Sequence, residues 1–122
     1  MADSAADPRT LEAVEARLRA ILAPYRDRLD MGKIYGVPVL RRPGAKAHDW
    51  FAGVQLADGY VKLNFLPMHS HPELLDGVSA ALRKRKTGAS VFRFTSVDEA
   101  VIAEVEALLA RGFEVYLARA ES

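Results

Sequence analysis

Cysteine is absent from this 122-residue chain. That excludes a disulfide framework, a thiolate nucleophile and a cysteine-ligated zinc. An excess of charge of one sign is lacking too, since 17 Lys and Arg stand against 16 Asp and Glu for a net charge of +1. The balance argues against a strongly basic nucleic-acid domain and against an acidic solvating tail. No run of about 18 apolar residues occurs, so no membrane-spanning helix is expected. The opening MADSAADPRT has neither the basic start nor the apolar stretch of a secretory signal, and a cytoplasmic location is the expectation. No G-x-S-x-G, P-loop or H-E-x-x-H pattern is present, and no enzymatic activity is expected. Internal repeats and low-complexity tracts are missing as well. What is there suffices for a packed core: half of the residues are apolar and 27% are charged. The expected organisation is a flexible tail over 1–7 and a single domain over 8–122.

The first element reads as a helix, with Pro8 and Thr10 at its entrance. Leu11, Val14, Leu18, Ile21, Leu22 and Tyr25 recur at helical spacing, and Pro24 ends or kinks the helix. Strands follow at Asp30 to Tyr35, Val37 to Arg41, Asp49 to Leu56 and Tyr60 to Leu66. Asp58-Gly59 between the last two is a hairpin signal. Pro67 to Pro72 reads as a loop, Glu73 to Leu75 as one short turn, and Ser79 as the cap of a helix through Lys86. Ser90 to Phe94 is a further strand. The last helix carries a capping box, Ser96 and Glu99, and Gly112 is its expected stop. Phe113 to Leu117 fits either a second short helix or an edge strand. The order predicts an α+β fold, an antiparallel sheet of about five strands with the N-terminal and C-terminal helices packed on one face. The other face is left for solvent, a ligand or a second subunit.

Four stretches resemble a known bacterial group. They are Phe51-Ala52-Gly53-Val54-Gln55 with Gly59-Tyr60-Val61-Lys62-Leu63; Leu66-Pro67-Met68 with Pro72-Glu73-Leu74-Leu75; Leu82-Arg83-Lys84-Arg85-Lys86-Thr87-Gly88 running into Phe92-Arg93-Phe94; and Ala110-Arg111-Gly112-Phe113-Glu114-Val115-Tyr116. In order and spacing they resemble the YdhG-like domains, a family of unknown function. The resemblance implies a small α+β fold and, from members linked to frataxin-like iron handling, a role in iron–sulfur cluster assembly with iron as cargo. It implies no catalytic residue. The chain departs from the family where members often carry Lys-Ser-Cys-Phe-Asn-Phe and this sequence has Ala89-Ser90-Val91-Phe92-Arg93-Phe94, and where a Tyr is usual at His69.

The residues offer several sites. Alternation on the fourth strand turns Lys62 and Asn64 away from Val61, Leu63 and Phe65. Arg93 and Gln55 join them from neighbouring strands, and Tyr60 and Trp50 stand as walls. These six would line a shallow site for an anionic small molecule. His69 and His71, two apart in an extended segment, would converge with Glu73, Asp76 lying near, on a metal ion. His48-Asp49 is a weaker pair at a strand start. Glu12, Glu15, Asp98, Glu99, Glu104 and Glu106 form no shared acidic ridge of the kind a hard cation needs. Arg83 to Lys86, with Arg41, Arg42 and Lys46, supplies basic groups, but the near-neutral total disfavours nucleic acid. Ser70, His71 and Asp76 make no triad without geometry. The expected function is therefore a non-catalytic binding or interaction module for an anionic small molecule or a protein partner. The alternatives are a frataxin-like iron chaperone and a homodimer built on the sheet face.

Overall fold

A computed structural model describes residues 8–34, 37–44 and 49–121. The expected tail over 1–7 lies outside the described residues, as do Tyr35, Gly36, Lys46 and His48. Helix α1 (Pro8–Arg26) forms on the stripe seen in the sequence: Leu11, Val14, Leu18, Ile21 and Leu22 are all buried, and Tyr25 packs against them. Thr10 lies within the first turn and does not cap it. Pro24 is tolerated because it falls in the final turn, where the hydrogen bond it removes costs least.

Five strands follow: β1 (Asp30–Ile34), β2 (Val37–Arg41), β3 (Ala52–Ala57), β4 (Tyr60–Phe65) and β5 (Val91–Phe94). They form one antiparallel sheet whose spatial order is the chain order. Asp58 and Gly59 join β3 to β4, and Gly59 has φ 88°, the left-handed backbone that a two-residue hairpin turn requires.

The third strand begins later than the composition suggests. The Phe51 N–H donates to the Leu40 carbonyl at 2.7 Å, while Ala52 is the register partner of Leu40. Two residues thus face one, as in a β-bulge. The extra residue breaks the alternation, so Phe51 and Ala52 are both fully buried. Phe51 becomes the hub of an aromatic cluster, with ring centroids 5.1 Å from Tyr25, 5.8 Å from Phe65, 5.3 Å from Phe113 and 5.8 Å from Tyr116.

The expected proline loop is helical. Pro67 opens helix α2 (Pro67–Ser70), and Pro72 opens a 3-10 turn (Pro72–Leu75); proline suits a first turn because its missing N–H is unpaired there anyway. Ser79 does cap the next helix, α3 (Ala80–Arg83), its Oγ accepting from the Leu82 N–H at 3.2 Å. That helix stops short of Lys86 because the chain turns to run beside β5. The Arg93 N–H donates to the Arg85 carbonyl at 2.7 Å and the Thr87 N–H to the Val91 carbonyl at 2.8 Å. The free edge of β5 is covered in this way, and an unpaired edge is a template for unwanted pairing.

The long helix α4 (Glu99–Glu121) corrects two expectations. Its cap is Asp98, whose Oδ1 accepts from the Ala100 N–H at 3.1 Å and the Val101 N–H at 3.4 Å. Ser96 and Glu99 make no capping box. Glu99 is drawn instead to Arg17 of α1, 3.0 Å away, and the Arg17 hydrogen bonds hold its carboxyl below the usual range. Asp98→Ala is therefore expected to cost about 1 kcal/mol in thermal unfolding, and Ser96→Ala close to nothing; the reverse ranking would reinstate the Ser96 cap. Gly112 does not stop the helix. Phe113 to Leu117 continue it, and Phe113 and Tyr116 are core residues.

Both long helices lie on one face of the sheet, as the element order predicts. Val54, Val61, Leu63, Phe65, Phe92 and Phe94 meet α1 and the Val101, Ile102, Val105, Leu108 and Leu109 stripe of α4 across one core. No charged residue is buried among the described residues. No described helix is long and apolar enough to cross a membrane.

Glu104 ties α3 to α4. It accepts from the Ser79 hydroxyl, and from the Ser79 N–H at 2.8 Å. The hydroxyl first and the N–H second hold its carboxyl below the usual range. A carboxyl lowered on folding adds stability that is present above its unfolded pKa and is lost as pH falls through the lowered value. Glu104→Gln should accordingly lower Tm at neutral pH and flatten the acid limb, so that variant and wild type converge at strongly acidic pH. Parallel Tm–pH curves would contradict the linkage.

Candidate ligand-binding face of the sheet

Strand β4 alternates as read: Val61, Leu63 and Phe65 have no exposure, while Tyr60, Lys62 and Asn64 are partly exposed on the opposite side. Register then decides what stands together. Gln55 of β3 is directly opposite Lys62, and Lys62 is directly opposite Arg93 of β5. The three form one row across the outward face. Arg93 is exposed between buried Phe92 and Phe94, and its guanidinium lies 4.1 Å from the centroid of the Tyr60 ring. A cation stacked on an aromatic face loses little mobility when it meets an anion.

Neither Lys62 nor Arg93 makes an ion pair among the described residues. Like charges directly opposite on adjacent strands destabilise a sheet. Folding alone does not ask for that pair. Asn64 stands in the next row, between Gly53 and Val91. Its Nδ2 is shielded from solvent and has no hydrogen-bond partner among the described residues.

Five of the six residues expected to line this face are thus brought to it: Gln55, Tyr60, Lys62, Asn64 and Arg93. Trp50 is not. It precedes the bulge and is buried in a small cleft with Leu66, Pro67, His71, Val115 and Tyr116, between α2 and the C-terminal half of α4.

The histidine reading depended on an extended segment, and the segment is helical. His69 sits exposed in α2, while His71 follows it and meets Glu73 at 3.2 Å. Among the described residues no three His, Asp or Glu side chains converge as a metal site would need. Asp49 pairs with Arg42, and its carbonyl accepts from the Tyr116 hydroxyl at 3.2 Å.

Three of the four residues in the basic run make local contacts, and Lys84 stays exposed. Arg83 donates to the Val78 and Leu75 carbonyls, Lys86 to the Gly88 carbonyl at 2.7 Å, and Arg85 stacks on Phe94. Arg41 lies across Gly32, where a Cβ would strike its guanidinium. The pairing of Arg93 with Tyr60 had no sequence signal, because it crosses two strands diagonally and depends on register. Set against known proteins, the chain matches no family model, no curated protein and no solved structure.

Proposed function

We propose that this domain is a non-catalytic binding module that takes an anionic small molecule on the outward sheet face. Lys62 and Arg93 supply the charge contacts, Gln55 a neutral hydrogen-bonding group and Tyr60 the platform that orients Arg93. The carrying observation is the Lys62–Arg93 pair, two directly opposed cations with no acidic partner among the described residues. Two cations side by side suit a ligand with more than one negative oxygen, a polycarboxylate or a phosphate. Kinship with the YdhG-like domains is part of the proposal and rests on the four stretches quoted above. The iron-handling alternative rests on that resemblance alone, and no three ligand side chains converge among the described residues.

Calorimetry with pyrophosphate and citrate tests the reading. Saturable binding that weakens with salt is expected. Lys62→Gln and Arg93→Gln should each weaken it about tenfold, the loss of one charge-assisted hydrogen bond. Lys62→Gln should leave Tm unchanged or raise it slightly, because it relieves a like-charge pair. Absence of binding by the wild type, or binding indifferent to both substitutions, overturns the proposal. A mass that depends on protein concentration, abolished by the same substitutions, would point to a homodimer on this face instead.

A further inference from the structure

The helix-bearing side of the sheet carries a second feature, independent of the outward face. Helix α1 packs on β3 and β4 and leaves the β1–β2 hairpin less covered. Between α1 and β2 lies an open groove of about 100 Å³. Leu22, Pro38, Leu40 and Val54 give it an apolar lining, and Met31 beside them is 55% exposed. Arg19 and Arg26 line it as well, both on α1 and both exposed.

The groove follows from the chain's chemistry. Strands β2 and β3 share one register pair, Leu40 with Ala52, and Pro38, two residues before Leu40 in β2, has no N–H to offer. The Val54 carbonyl is approached by the Arg19 Nη2 at 3.4 Å. The charge of Arg19 is matched by Glu15, 2.9 Å away. The Arg26 side chain has neither an ion pair nor a hydrogen bond among the described residues. The lining is therefore apolar with one uncompensated cation. Arg26 stands in the last turn of α1, whose dipole end is equivalent to about half a negative charge. A full guanidinium charge outweighs it.

We infer that this groove binds a small carboxylate with a short apolar tail. The tail lies on Leu22, Leu40 and Val54 and covers Met31, and the carboxylate meets Arg26. An enclosed apolar cavity of about 150 Å³ accepts benzene, so a groove of this size accepts a tail of roughly four to six carbons.

The test is an NMR titration with hexanoate, with hexylammonium and hexanol as controls. Hexanoate should shift the methyl signals of Leu22, Leu40 and Val54 saturably. Hexylammonium should not bind, and hexanol should bind more weakly than hexanoate. Arg26→Gln should weaken hexanoate about tenfold, whereas Arg26→Lys should keep most of the affinity and Arg93→Gln all of it. Arg26 is exposed, so an unchanged Tm will show that these variants fold. The inference is overturned if hexanoate shifts nothing at millimolar concentration, if hexylammonium binds as well, or if Arg26→Gln has no effect. Dependence of hexanoate on Arg93 and not on Arg26 would place the carboxylate on the outward face and overturn it equally.

Discussion

Phe51→Ala is expected to remove about 3–5 kcal/mol of stability, the range for deleting a buried phenylalanine. The upper half of that range applies here. Phe51 is fully buried and its ring touches four other aromatic rings, from α1, β4 and two positions of α4. A cavity at a junction of three elements cannot collapse without moving all of them. Domains hold roughly 5–15 kcal/mol in total, so the variant should lie near the edge of unfolding at body temperature. Thermal melting followed by circular dichroism should show Tm lowered by on the order of 10–20 °C. A loss below about 1.5 kcal/mol would mean that the cluster repacks freely and that Phe51 is not its hub.

Gly112→Val should destabilise by about 2 kcal/mol, although helix propensity alone predicts the opposite sign. A Cβ at Gly112 would sit 2.3 Å from Cζ and 2.8 Å from Cε1 of the Phe65 ring. Phe65 has no exposure and packs edge-on to Phe51, its centroid 5.8 Å away at 77°, so it has nowhere to go. Gly112→Ala makes the sign decisive. Propensity would give a gain of up to about 1 kcal/mol, and packing gives a loss. Urea unfolding should show the loss, and Phe65→Leu in the same chain should reverse part of it, a coupling expected of residues in contact. Stabilisation by Gly112→Ala, without coupling to Phe65, would refute the close approach.

Local periodicity carried most of the fold. The α1 stripe, the Asp58-Gly59 turn and the alternation of β4 are each written within one element, and each stands in the structure as read. Most of the misreadings share a cause: the deciding partner is distant in the chain. Gly112 resembles a helix stop until the ring of Phe65 is placed against it. Ser96 and Glu99 resemble a capping box until Arg17 draws Glu99 towards α1. Trp50 was expected on the sheet face, but the bulge at Phe51 ends the alternation before the strand begins. The histidines are the exception, because Pro67, only two residues before His69, starts the helix that removes the extended segment their convergence needs.

The candidate site divides along the same line. That Lys62 points outward was legible from β4 alone. That it faces Arg93 was not, since the elements between β4 and β5 set that register. The α1–β2 groove left no trace in the sequence, because it depends on how far one helix extends over the sheet.

The outward face is proposed to bind an anion through Lys62 and Arg93. An amide NMR titration with pyrophosphate tests it most directly. Saturable shifts confined to Gln55, Tyr60, Lys62, Asn64 and Arg93, and abolished in the Lys62→Gln/Arg93→Gln double variant, are the predicted result. Shifts centred on Arg83 to Lys86 or on the α1–β2 groove, or none at all, would contradict it.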